Sequence, residues 1–372
     1  MRKAWRLLRA RFHGLFTYGC ASHAFHLHAG DLCKTLQLQR LVDGMGVINT
    51  WFSRHLGAGG RATLFRLQKA ASGKTSAPPN PGRTRKWNGQ VVSAEWHLAN
   101  HQVLVSLVTD AGFDASSDPA KLLKRTILDL DGVFWPLLPQ FITLMQPLRL
   151  AVHTLQGNHA KIGDVMGAWV RIHNAQMELL SSSTCTFSSA TVAHVKATFS
   201  ARFRFLYHPI HLVAFALDPR YVSICKAPPS VIRYWIRELY GAEGDAHTLT
   251  QLVSEYGLFR ASAQDPAQAD IWSPLATADS IRWWRSWGDE FPLLKDFALK
   301  LLSLPPTSAS AERNWSTQDF IVSKRRNRLA AARAEKLVYI YFNLRSIKHA
   351  DAQRLGPGVT EEAHHWHVGI RH

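Results

Sequence analysis

Residues 283–345 read WWRSWGDEFPLLKDFALKLLSLPPTSASAERNWSTQDFIVSKRRNRLAAARAEKLVYIYFNLR. Leu293, Leu294, Phe297, Ala298, Leu301 and Leu302 recur at the spacing of an amphipathic helix. Pro305 and Pro306 end that helix, because proline lacks the amide proton and clashes with the preceding turn. Thr307, Ser308 and Ser310 are candidate N-caps for the next helix, with Glu312 in its first turn. Lys324, Arg325, Arg326 and Arg328 form a dense basic run. Beyond it, Leu337, Ile340, Tyr341 and Leu344 fall on one face of a last helix. Such a stripe is core or interface. Trp283, Trp284 and Trp287 add an aromatic cluster that could face a partner protein.

Outward from this block, composition sets limits. With 46% hydrophobic residues in 372, the chain can bury a sizeable core, in one large domain or two. Thirteen Trp and eighteen Phe argue against general disorder. A formal net charge of +17 and a pI near 10.0 point to a polyanion, most simply nucleic acid. A soluble basic enzyme is the alternative. Cys20, Cys33, Cys185 and Cys225 are too scattered for a disulfide framework, so a reducing compartment is expected. No stretch is apolar for long enough to span a membrane.

Residues 2–12 read as a basic amphipathic helix without a signal-peptide core. Phe16–Cys20 reads as a short strand. Cys20 and His23 follow in a Cys-x-x-His spacing with His26 and His28 nearby. A closed zinc site needs about four ligands, and no second pair follows at finger spacing, so packed histidines are the simpler reading. Residues 42–70 suggest two helices about the Gly57–Gly60 turn. Residues 71–83 form a Pro/Gly/Ser loop. From Glu95 to about Phe259 the pattern is helical, with a stripe through Leu98, Val103, Leu104, Leu107 and Val108. Further segments run over Leu122–Leu137, Phe141–Leu155, Ile162–Leu180 and Val192–Tyr207. Asp218-Pro219 reads as a turn and cap, and 261–278 as a connecting loop.

Several of these blocks, in this order, resemble hAT-superfamily DNA transposases. Phe291-Pro292-Leu293, the LLSLPPTSASAERNWS run at 301–316, SKRRNRL at 323–329 and KLVYI at 336–340 are similar to that family's C-terminal dimerisation region. HPIHLVAFALDPRY at 208–221 resembles its His-Pro…Leu-Asp-Pro-Arg motif, and Cys20-x-x-His23 the segment after the fifth strand of an RNase H-like core.

The resemblance implies a fold class: mostly α, a remnant of an RNase H-like core with a large all-helical insertion. It divides the chain into a core remnant over 1–70, a loop over 71–86, the insertion over 87–278, the dimerisation region over 279–348 and a tail over 349–372. It implies that Cys20 and His23 sit beside the catalytic pocket and help hold it or the DNA end, and that Trp87, after Arg85 in TRKWN, stacks on a flipped base. The alternative for Trp87 is a loop anchor. It gives the basic run Lys324, Arg325, Arg326 and Arg328 to DNA phosphates, with nuclear import as a second use, and the stripe Leu337, Ile340, Tyr341 and Leu344 to dimerisation.

Glu312 matches the family's third metal-binding acid. The other two acids belong to strands before the Cys-x-x-His segment, and Met1 lies only nineteen residues before Cys20. The expectation is therefore a C-terminal part in which Glu312 is a first-turn acid, and Mg²⁺ or Mn²⁺ belongs only to a complete transposase. The expected protein is nuclear, forms a homodimer or higher oligomer, binds DNA, touches no membrane and does not cleave DNA. A fragment of an active metal-dependent transposase, or a domesticated protein-interaction scaffold, are the competing readings.

Overall fold

A computed structural model of the chain describes residues 2–12, 15–55, 58–79, 87–157, 159–241, 245–322 and 330–355. These residues are mostly helical, and no strand occurs among them. The chain divides into two compact units, Met1–Thr307 and Ser308–His372.

In the first unit the helices are α1 (Arg2–Arg11), α2 (Ala21–Leu32), α3 (Leu36–Arg54), α4 (Ala58–Ser72), α5 (Trp87–Ala99), α6 (His101–Thr109), α7 (Asp118–Leu128), α8 (Phe134–Leu155), α9 (Asp164–Ser181), α10 (Ser189–Leu206), α11 (Pro209–Leu217), α12 (Pro229–Tyr240), α13 (Ala246–Ser262), α14 (Pro274–Thr277), α15 (Ser280–Trp287) and α16 (Pro292–Leu302). The centre of this unit is α8, which packs against α2, α3, α5 and α9. Its apolar residues recur all round the helix, and Leu138, Phe141 and Leu144 are fully buried, as expected of a helix surrounded by others.

The sequence pattern predicts one segment over Leu122–Leu137, but the chain breaks there. Asp129 adopts the left-handed conformation, with φ 45°, which Asp tolerates better than most residues. Its carboxylate accepts hydrogen bonds from the amides of Val133, Phe134 and Trp135 at 3.0–3.1 Å. Three otherwise orphaned donors of α8 are thereby satisfied. The stripe from Leu98 to Val108 is also split. Asn100 separates α5 from α6, donating to the Trp96 carbonyl and accepting from Gln68.

The predicted strand at Phe16–Cys20 is not formed. This segment is extended, but its partners are not a neighbouring strand. The Tyr18 hydroxyl donates to the Pro305 carbonyl at 2.9 Å, and the Ala21 amide to the Pro306 carbonyl at 3.1 Å. Thr307 Oγ1 donates to the Leu155 carbonyl. The proline pause thus does more than end α16. It lays the last residues of the first unit along its first ones.

The aromatic cluster of the C-terminal block is also corrected. Trp283 and Trp284 do not form a partner-binding face; both are buried in the core. Their indole nitrogens donate to the carbonyls of Ile271 and Leu217, each at 2.8 Å. Phe259 of α13 stacks on Trp284 with ring centroids 4.8 Å apart. Only Trp287 is exposed. The buried carboxylate of Glu255, also on α13, accepts from the Leu294 amide at 2.8 Å in the first turn of α16. The helical middle of the chain and its C-terminal block therefore share one core.

In the second unit, α17 (Ala309–Ile321) and α18 (Ala331–Leu355) pack against each other.

Candidate self-association surface

The α17–α18 hairpin is held by a narrow seam. Thr317 and Ile321 on α17 and Ala334 on α18 are buried, and Phe320 approaches Tyr341 with ring centroids 6.0 Å apart. Beside this seam runs a groove of about 600 Å³, lined by residues including Gln318, Val322, Val338, Tyr339 and Phe342. A two-helix hairpin has too little interior to hide its apolar side chains.

Of the predicted stripe only Tyr341 reaches the seam, where it meets Phe320. Leu337, Ile340, Tyr341 and Leu344 are 40%, 51%, 43% and 53% exposed. Ala334, two turns before Tyr341 on the same side of α18, is buried. Trp315 and Phe320 on α17 are exposed as well. A contiguous apolar surface of this kind marks an interaction site.

Glu312 is exposed in the first turn of α17. Ser308 is the N-cap residue but does not cap the backbone with its side chain. Its hydroxyl instead donates to the Glu312 carboxylate at 2.7 Å. Among the described residues no three His, Cys, Asp or Glu side chains come together to hold an ion. The basic residues Lys324, Arg325, Arg326 and Arg328, and Arg85, lie outside the described residues.

The remaining candidates sit in the first unit. Cys20 is the half-buried N-cap residue of α2, and His23 is exposed one turn later. Trp87 opens α5 and is half-buried. Its indole lies against α2, where a Cβ added at Gly30 would stand 3.3 Å from Nε1. Phe25 and Ala29 line the same small pocket.

Sequence reasoning missed the polar cluster around the Asp-Pro-Arg motif. Asp218 ends α11 and is fully buried. Arg220 binds it through Nε and Nη2, at 2.9 and 2.5 Å. The same guanidinium reaches Asp164 at the start of α9, at 2.8 Å. The Tyr221 hydroxyl donates to Asp164 at 2.6 Å, and Ser280 donates to Asp218 at 3.0 Å. Burial pushes the Asp218 carboxyl up, while the bonds and charge of Arg220 pull it back. Burial likewise opposes the Arg220 charge, but Asp218 and Asp164 hold it protonated. This cluster joins α9, α11 and α15. It is a structural ion-pair network whose two carboxylates are buried while Arg220 stays partly exposed, and only the Asp-Pro-Arg-Tyr run signals it in sequence.

A second ion pair ties α2 to α10. Asp31 receives Arg202 Nε at 2.6 Å and Lys34 at 2.7 Å. Burial raises its carboxyl, but the bonds from Lys34 and Arg202 outweigh that and hold it below the usual range.

The site is thus an apolar helical hairpin built to be covered by another surface, which defines a self-associating protein. Residues 261–344 match the family model described as the hAT family C-terminal dimerisation region. This match over residues 261–344 supports a hAT-family transposase C-terminal part. No curated protein matches it. In the first unit no helix among the described residues is long and apolar enough to cross a membrane, and the same holds in the second.

Proposed function

We propose that this protein is a hAT transposase-like factor that self-associates through the α17–α18 hairpin, binds DNA, and does not itself cleave DNA. The observation that carries this is the solvent-open stripe Leu337, Ile340, Tyr341 and Leu344, inside the matched dimerisation region. Burying such a stripe against its counterpart removes apolar area from water at about 25 cal/mol per Å². The net charge of +17 supports a polyanionic partner. The place of Glu312 in the first turn of α17, bonded to Ser308, supports a structural role for that acid; two-metal phosphoryl transfer needs bridging carboxylates. In this reading the helices of 87–278 are an insertion, 1–70 is the remnant of an RNase H-like core, and the protein works in the nucleus.

The test is light scattering coupled to gel filtration. The wild-type chain is expected to run as a dimer or larger, and Ile340→Glu with Leu344→Glu as a monomer with unchanged far-UV circular dichroism. A wild-type chain that stays monomeric at high concentration would overturn self-association. Mg²⁺- or Mn²⁺-dependent nicking of duplex DNA, lost in Glu312→Ala, would overturn the non-cleaving part.

A further inference from the structure

Residues 1–30 and residues 179–217 are two of the four stretches of at least thirty residues in this chain that contain no Asp or Glu. They are far apart in sequence, and the fold brings them together. α2 packs along α10. A Cβ at Gly19 would touch the Leu206 side chain at 3.5 Å. The Tyr18 ring lies 6.5 Å from that of His208 and 5.8 Å from that of His211. The charge of Arg9 on α1 reaches His208, where it adds to burial in lowering the imidazole pKa.

The result is a surface rich in cations. Lys3, Arg6, Arg9, Arg11 and Arg204 are exposed, and none makes an ion pair among the described residues. Arg202 is the neighbour that is neutralised, by Asp31. Two exposed phenyl rings lie in the same region, each under a guanidinium: Phe12 below Arg11 and Phe205 below Arg202. Lys3, Arg6 and Arg9 recur every three residues on one side of α1. They span about 9 Å of helix axis, enough for two or three phosphates of one strand at about 3.4 Å of rise each.

We infer that the face formed by α1 and the C-terminal end of α10 is where this protein holds the phosphate backbone of duplex DNA. The inference rests on the DNA-binding part of the proposed function and assigns it a surface separate from the hairpin. Contacts to phosphates carry no base readout, so contact here is independent of sequence and strongly salt-dependent.

The experiment is fluorescence anisotropy of a labelled duplex of arbitrary sequence, titrated with the full chain over a range of salt. The triple variant Arg6→Gln/Arg9→Gln/Arg204→Gln is compared with a control triple, Lys69→Gln/Arg233→Gln/Arg237→Gln. All six residues are exposed, and both variants remove the same charge. The first triple is expected to weaken binding at least about ten-fold and to lower the slope of log affinity against log salt by about 3. The control is expected to change both much less. Equal losses in the two triples would mean that the overall charge binds, and would overturn the assigned face. Unchanged binding in the first triple would overturn it too, while wild-type binding kept the DNA reading intact. Failure of the wild-type chain to bind at low salt would sink the DNA reading itself.

Discussion

Arg220 and Asp164 meet at 2.8 Å from opposite ends of a polar cluster in which the same guanidinium also neutralises Asp218. Removing the shared cation leaves two buried carboxylates facing each other. Arg220→Met is expected to cost about 3–5 kcal/mol, read as a fall in the urea midpoint with unchanged slope. A midpoint within experimental error of wild type would show that the network contributes nothing to stability.

The cluster depends on close approach at two glycines of α9. A Cβ at Gly163 would stand 3.0 Å from the Ala214 carbonyl oxygen, and one at Gly167 3.1 Å from the Tyr221 ring. Gly167→Ala pushes the Tyr221 phenol off Asp164. The expected loss is about 1–3 kcal/mol, well beyond the gain of up to about 1 kcal/mol that alanine brings to an exposed helix position. A stabilised Gly167→Ala would mean that Tyr221 yields freely. Thermal unfolding decides between them.

The tryptophans of the C-terminal block divide by burial. Trp284→Ala opens a cavity beneath Phe259 and orphans the Leu217 carbonyl, so a loss of about 3–5 kcal/mol is expected. Trp287→Ala is expected to change stability by less than about 1 kcal/mol. If Trp287→Ala proved the more damaging, the aromatic cluster would have to be read as a face again.

Burial lowers the imidazole pKa of His28 to about 4 and of His97 and His211 to about 3. Each is neutral in the fold, whereas the unfolded chain takes up these protons near the ordinary value of 6.5. Between pH 6.5 and about 4 the unfolded state therefore binds more protons. Stability is full above 6.5 and falls as pH drops, by up to about 4 kcal/mol per pH unit when three groups act together. Urea unfolding across that window measures the slope, and His211→Phe should reduce it by about one proton. A flat profile would show that these imidazoles reach solvent.

The helices were legible because their apolar residues repeat at helical spacing. Pro305-Pro306 announced the end of α16 for the same local reason. What was not legible depended on distant partners. Phe16–Cys20 has strand composition, yet its hydrogen bonds go to Pro305 and Pro306. Asp129 interrupts an apolar run that periodicity alone reads as continuous, because three amides reward its left-handed backbone. Trp283 and Trp284 read in sequence as a partner-facing cluster, and only the acceptors on Ile271 and Leu217 make them core. In the hairpin, the spacing of Leu337, Ile340, Tyr341 and Leu344 identified the stripe but not that its neighbour Ala334 faces inward.

The hydrogen bond from Tyr18 to Pro305 closes a span of 287 residues. A ribosome adding about 5–20 residues per second needs roughly 15–60 s to cross that interval. Throughout it the segment around Tyr18 waits without its final acceptor, next to a helix that displays Leu7, Leu8 and Phe12 to water. The first unit thus closes only after Pro305 has been made, and until then the segment around Tyr18 stays open to chaperones and proteases.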